Sequence, residues 1–448
     1  MKRFALVSLL AAMTFGLAFA ASATELKVKG SYEVMTEFSA NLYDWNSDAS
    51  DGDNQYIAQR LRTYFTFQTN ENLKAVLGLE MDSTWGAGDA DWGTDVSQTS
   101  KNNEGAGAIE IKHAYLDFNF PDTAINVKAG LQTVSLPSVF GNPVFDDDAP
   151  AILVSAPIND MFGVAVGFTR GRDSSTPYGG TTNKDEVDAA MLILPVTLDG
   201  FSVTPYFAYA WMGENAASPG GSGFNDADKL AGIDDIAIWT LGANAVLTMF
   251  DPLTIAADLI YGQGKADDVD YDTKGWYAAL AASYKFDMLT ATLFGTYASG
   301  YDKDADKDNK LPTLAEGWGI SPFFGGVRAF GMADDSWVEQ ELNVTGDGTG
   351  LWTIGLKLAD ISFVENLTHT LVVAYAQGTS DKDAFAPNGK QILFTEKDHA
   401  WEVYFANQYM IYENLAAIAE LGYAAPTLKY VDGEDPAYFG TVGFAYSF

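Results

Sequence analysis

Apolar and polar residues alternate along most of this chain with a period of two. In the stretch from 25 to 42, Leu26, Val28, Tyr32, Val34, Phe38 and Leu42 share one parity, while Lys27, Lys29, Ser31, Glu33 and Glu37 share the other. The next run, RLRTYFTFQT, sets Leu61, Phe65 and Phe67 against Arg60, Arg62, Tyr64 and Gln68. A period of two is the signature of a strand with one apolar and one polar face. Runs of about ten residues have the length of a tilted strand that crosses a bilayer. Eighteen such runs can be marked off, with sixteen as the alternative count. The last one, YFGTVGFAYSF, ends on Phe448.

The connections are of two kinds. Tight ones, such as 70–72, 121–123, 159–160, 198–200, 250–252, 287–288 and 412–414, carry Asn, Asp, Gly and Pro, the residues of turns. Long, polar and acidic ones fall at 43–55, 86–108, 135–150, 173–185, 214–235, 265–274, 301–350, 379–399 and 427–437. Short and long alternate, as in a transmembrane antiparallel β-barrel with short periplasmic turns at one rim and long extracellular loops at the other. An even strand number brings the first and last strands together and leaves no open edge. A soluble sandwich would have to bury both of its facing surfaces. Here the polar parity carries mid-strand charge at Arg60, Arg62, Glu80, Asp117, Lys128, Glu402 and Glu420, which suits a wet lumen.

Composition narrows the reading. The chain has 448 residues, 13% aromatic and 19% charged, with 43 glycines and no cysteine, which excludes disulfides, thiol catalysis and zinc–thiolate sites. Its start, Lys2 and Arg3 followed by an apolar run and then Ala21-Ser22-Ala23, reads as a secretory signal peptide over residues 1–23, with residues 24–448 as the barrel domain. Without Lys2 and Arg3 the net charge moves from −34 to −36, a sign that repels nucleic acid. Beyond residue 23 no apolar run is long enough for a membrane helix.

The final alternating aromatics, RLRTYFTFQT in the second run, KHAYLDFNF in the fourth and VKAGLQTV in the fifth give the chain a resemblance to the trimeric general porins of Gram-negative outer membranes. It looks most like the homotrimeric porins of Desulfovibrio-type bacteria. The resemblance implies a homotrimer set in outer-membrane lipid and lipopolysaccharide, with small hydrophilic solutes diffusing through a water-filled channel. It also implies that the loop after the fifth strand, residues 135–150, folds into the lumen as a constriction. That loop would present Asp146, Asp147 and Asp148 toward Arg60 and Arg62 on the opposite wall, with Glu80 beside them and Lys74 and Lys128 as weaker supporters. Phe444, Tyr446 and Phe448 would be read as an assembly signal by the barrel-insertion machinery. The triple aspartate and the acidic balance lead to an expected mild preference for cations.

Other chemistry finds little support. His113, His369 and His399 have no partner at metal-ligand spacing, and neither a nucleophile elbow, a phosphate loop nor an HExxH pattern is present, so no enzymatic activity, metal or cofactor is expected. DKDADKDNK, residues 302–310, begins like a calcium loop but has Lys307 where the sharp turn needs Gly and Thr313 where the bidentate Glu belongs. The longest connection, 301–350, contains GWGISPFFGGVRAFGM, apolar enough to pack on the pore mouth, a neighbouring subunit or itself. Two rival functions stay open: a substrate-specific 18-stranded channel for sugars or carboxylates, and a barrel plugged by this loop that binds or catalyses at the surface.

Overall fold

The computed structural model describes residues 24–42, 45, 53–85, 109–173, 186–213, 236–266, 272–303, 309–331, 350–384, 394–429 and 434–448. Residues 1–23, expected to be a signal peptide, lie outside them, as do 304–308 of the calcium-like stretch.

Among the described residues the chain forms one closed antiparallel barrel. Its first half comprises β1 (Glu25–Ala40), β2 (Asp53–Asn70), β3 (Leu73–Thr84), β4 (Ile109–Asn119), β5 (Asn126–Ser135), β6 (Asp146–Pro157), β7 (Gly163–Asp173), β8 (Glu186–Ile193), β9 (Val196–Leu198) and β10 (Phe201–Met212). The second half comprises β11 (Ile236–Phe250), β12 (Leu253–Ala266), β13 (Asp272–Lys285), β14 (Thr290–Ala298), β15 (Leu351–Val364), β16 (Leu367–Gly378), β17 (His399–Tyr412), β18 (Leu415–Thr427) and β19 (Ala437–Ser447). Both β8 and β9 pair with β10, so they are one wall strand interrupted at Leu194-Pro195, and the wall has eighteen strands. The interruption follows from Pro195, which has no amide hydrogen to give to a ladder.

Closure is made by β1 and β19, paired from Ser31 with Ser447 to Ala40 with Tyr438. The last residue adds to it: Gly30 N donates to Phe448 O (2.9 Å) and Phe448 N to Gly30 O (3.0 Å). Every wall strand therefore has two neighbours, which meets the demand that backbone groups in a bilayer be satisfied within the protein. Among the described residues no helix is long and apolar enough to cross a membrane.

The alternation read from the sequence is the difference between the two faces of the wall. Leu26, Val28 and Phe38 are about half exposed while Met35 and Glu37 on the same strand are covered. The outward set continues through Leu116, Ile152, Leu241, Leu259, Leu280, Leu293 and Leu421. Exposed aromatics gather at both rims: Trp85, Tyr209, Tyr261, Trp276, Trp401 and Tyr438 near the loops, and Phe120, Phe250, Phe286, Phe363, Tyr412 and Phe448 near the turns. An apolar band between two aromatic girdles is what a barrel shows to lipid.

One turn is absent from the sequence reading. β15 runs on to Val364 and turns at Glu365-Asn366, where Asn366 adopts φ 64°. Register shifts between Leu358 and Ile361 and between Ile361 and Val364 break the alternation, so the strand's end is invisible to a period-two search.

The inward face holds a surprise. Ala208, Ala210, Ala279, Ala281, Ala374, Ala376, Ala400 and Ala424 are almost fully covered, although a water-filled lumen would leave them wet. Two inserted segments, with Phe394 from the loop before β17, join them in one buried cluster.

Candidate functional site: a lumen narrowed by two inserted segments

The first insert joins β5 to β6 and comprises residues 136–145. Leu136 and Val144 are buried, and the segment is tied to the wall by side chains that receive its backbone. Ser138 Oγ (2.9 Å) and Val139 N (2.8 Å) both donate to Oδ2 of Asp258 on β12, whose Oδ1 accepts from Asn244 Nδ2 on β11 (2.8 Å). Asn142 Nδ2 donates to the Tyr206 hydroxyl on β10 at 2.9 Å. Phe140 meets Phe294 of β14 edge to face at 5.6 Å.

The second insert, residues 309–331, lies in the long connection between β14 and β15. It starts against β13, where Thr273 Oγ1 donates to Lys310 O (2.7 Å), and here Gly275 is required: a Cβ would sit 2.3 Å from Leu311 N. It then runs beside the first insert, with Leu314 N donating to Val144 O (2.9 Å), Gly317 N to Asn142 O (3.1 Å) and Gly319 N to Phe140 O (2.9 Å). Gly141, at φ +75°, permits this approach, because a Cβ there would lie 1.9 Å from Gly317 O. Trp318 Nε1 donates to the Tyr277 hydroxyl (3.1 Å), so the two inserts and β13 form one packed unit.

Farther along, wall carboxylates hold the insert. Glu402 on β17 accepts from Ser321 Oγ (2.5 Å) and Phe323 N (3.3 Å). Glu420 on β18 accepts from Ala329 N (2.6 Å) and from the Tyr404 hydroxyl (2.6 Å). Arg328 lies among Glu37 of β1 (2.9 Å), Glu420 (3.1 Å) and Thr441 of β19, its guanidinium 4.0 Å from the centre of the Phe439 ring. The arginine and both glutamate side chains are fully buried. At the end of the described segment, Gly331 O accepts from Arg60 Nη1 on β2 (2.9 Å). The insert thus spans the lumen from β13 round to β2. Glu402 and Glu420, which the sequence placed in a wet lumen, face the lumen but bind protein there.

The wall from β2 to β5 keeps a charged lining. Arg60 clasps Asp82 through two bonds (2.7 and 2.8 Å) and lies 3.7 Å from Glu80. Arg62 pairs with Glu80. Lys112 of β4 reaches Glu80 (3.7 Å) and Asp148 (2.9 Å), and His113 Nε2 lies 3.2 Å from both Asp148 Oδ1 and Thr133 Oγ1. Lys74 pairs with Asp117 (3.0 Å), and Lys128 lies over the Tyr115 ring at 4.3 Å. Tyr64, His113 and Tyr115 follow one another ring to ring at 5.4 and 5.9 Å.

The expected constriction group is therefore brought together in part. Arg60, Arg62, Glu80 and Asp148 form one network, joined through Lys112. Asp146 and Asp147 do not enter it: the Asp146 carboxylate accepts from Asn142 N (3.3 Å) and that of Asp147 from Asp148 N (2.7 Å). The expected loop 135–150 must also be shortened. Asp146, Asp147 and Asp148 begin strand β6, paired with Ser135, Val134 and Thr133, so the triple aspartate belongs to the wall hairpin and the true loop is 136–145. Arg60 and Arg62 are matched by carboxylates on the adjacent strand, so they do not stand as bare charges against an acidic loop.

Lys112 and His113 were missed as site residues for a definable reason. A register shift between Gly78 and Leu79 inserts an extra residue on β4, and this bulge brings both members of the pair to the same network. Two adjacent basic residues inside an otherwise alternating run were the available signal. The described residues hold no group of three or more His, Cys, Asp or Glu able to bind a metal ion. Phe444, Tyr446 and Phe448 are exposed on the closing strand, with Tyr446 and Phe448 stacked at 5.8 Å.

No family model matches the chain, and no curated protein resembles it in sequence. Solved structures do resemble it. OccAB4 of Acinetobacter baumannii superposes with a TM-score of 0.56 at 10% identity, over 96% of this chain and 99% of that one. A BenF-like porin from Pseudomonas fluorescens Pf-5 gives 0.55 at 10% identity, over 95% and 99%. The outer membrane protein OprD from Pseudomonas aeruginosa gives 0.53 at 13% identity, over 94% of each. The fold is that of the outer-membrane channels. Together with the apolar band and its two girdles, it puts this barrel in the bacterial outer membrane.

Proposed function

We propose that the barrel is a channel through which small hydrophilic solutes diffuse passively, with passage confined to the charged arc of β2 to β6 beside the two inserts. The observation that carries this reading is the contrast between the two sides of the lumen. At the height of the inserts, inward residues from β10 round to β1, such as Tyr206, Tyr277, Phe294 and Tyr404, are buried in the cluster that the inserts join. On β2 to β5, Arg62, Lys112 and Lys74 keep 25, 27 and 43% of their side-chain surface exposed. A barrel of eighteen strands is wide enough for an aqueous channel, and inserted segments set its bore.

The inserts favour a substrate-selective channel over a wide general pore, because a passage lined on one side by fixed charge discriminates by size and by charge position. The basic and acidic groups of the arc are largely matched, so the chain's acidic balance leaves a mild preference for cations. Occupation of the lumen by 309–331 is also what a plugged barrel would show; the wet charged arc argues against a complete plug. No covalent chemistry is proposed. The homotrimer rests on the sequence resemblance, and native mass spectrometry of the detergent-extracted protein tests it.

Planar-bilayer recording in asymmetric salt, with sugars of increasing size added, tests the function. The proposal predicts ohmic current, exclusion of sugars at a small size, saturation by a preferred solute and a reversal potential of cation sign. Size exclusion as permissive as an unfilled barrel's would contradict the selective reading.

A further inference from the structure

A second cleft lies away from the lumen, at the loop rim of β12 to β14. It has a volume of about 510 Å³ and is lined by Trp276, Tyr297 and Tyr261 together with Asp302, Asp381 and Glu396. Trp276 and Tyr297 are stacked, with ring centroids 4.4 Å apart and planes 21° from parallel, and Trp276 and Tyr261 are each 41% exposed. The girdle explains why aromatic rings stand at this height. It does not explain the acidic groups gathered in front of them from two different rim loops.

Those carboxylates are placed by backbone ties. Asp381 N donates to Tyr301 O (2.8 Å), Glu396 N donates to Ser380 O (2.7 Å), and Tyr301 N donates to Ser380 Oγ (3.0 Å), so the start of the β14–β15 connection and both ends of the β16–β17 connection are locked side by side. Asn309 Nδ2 reaches Asp302 at 3.4 Å and supplies a carboxamide to the same cleft. A cleft of this size, apolar and aromatic on one wall with a few convergent polar groups on the other, has the form of a small-molecule site.

The chemistry narrows the ligand. Flat aromatic faces accept the C–H face of a sugar ring, and carboxylates accept hydrogen bonds only, so they suit a ligand rich in hydroxyl donors. Three carboxylates line the cleft with the ammonium of Lys274, and Lys397 lies 3.3 Å from Glu396, so acidic groups still outnumber basic ones and disfavour phosphorylated or acidic sugars. Among the described residues no group of three acidic residues is close enough to hold a metal ion. We propose that this cleft binds a neutral hexopyranose unit of a glycan at the extracellular rim. The inference is independent of the channel, since none of these side chains lines the lumen.

The test uses the full-length protein in detergent, titrated by calorimetry and by saturation-transfer NMR with maltotriose, mannotriose and chitotriose, and separately with lipopolysaccharide micelles. The expected result is saturable binding that Trp276→Ala weakens at least about tenfold and Asp381→Asn also weakens, while single-channel conductance is unchanged. Binding of a free trisaccharide would assign the source as a soluble glycan. Binding of micelles alone, with the same loss in Trp276→Ala, would assign it to the lipid-borne glycan. No saturable binding of any probe, or binding that Trp276→Ala leaves intact, overturns the proposal; unchanged conductance in that variant shows that the barrel itself is sound.

Discussion

Arg328 is the side chain on which the second insert most depends. Its guanidinium meets Glu37, Glu420 and Thr441, three residues from three wall strands, with no exposure to solvent. Removing one partner of a buried ion pair leaves the others uncompensated, which typically costs about 3–5 kcal/mol. We expect Arg328→Met to unseat residues 309–331, raising their sensitivity to protease and increasing single-channel conductance, and Glu37→Gln with Glu420→Gln in the same chain to restore part of the protection. Unchanged protection in Arg328→Met would refute that role.

At the same scale, Lys112 bridges the carboxylates of Glu80 and Asp148 in the charged arc. Lys112→Glu should move the reversal potential in a salt gradient further toward cation selectivity; no shift would remove Lys112 from the ion path. The lumen parity of Arg60, Arg62, Glu80, Glu402 and Glu420 was legible from alternation alone. Their partners were not, because parity reports which face a residue shares and says nothing about what folds over that face.

At the scale of elements, the strands were legible because each needs one face for lipid, and lipid imposes apolar residues at every second position. Legibility failed where that rule is locally suspended: at the β4 bulge before His113, and at the shifts between Leu358 and Val364. The second insert was the larger gap. GWGISPFFGGVRAFGM has no period, since it lies against a curved wall and a second irregular segment rather than in a ladder. Its signature was in the wall, in the covered inward alanines.

Deleting residues 309–331 across a short Gly-Ser link should leave a folded, heat-resistant barrel, since wall closure runs through strand pairs and not through the insert. Its conductance should rise. Loss of the folded barrel would mean that the insert is structural. On the closing strand, deleting Phe448 removes the two bonds with Gly30 and the aromatic terminus. It should lower the yield of membrane-inserted protein more than it alters selectivity; normal insertion would count against the assembly role.

For the whole molecule, an apolar band with aromatic girdles fixes the barrel's height in the membrane, and the closed ladder makes its backbone acceptable there. What separates this barrel from a wide general pore is inside: part of the lumen wall is packed against inserted chain, and the arc from β2 to β6 carries a charged lining. The central claim is that this charged arc conducts. Single-channel recording of the purified protein in planar bilayers tests it most directly. Discrete ohmic steps that shrink in the presence of small permeant sugars, and that grow in Arg328→Met, are the predicted result; a silent bilayer with demonstrably inserted, folded protein would mean that the inserts close the barrel, and would contradict the account.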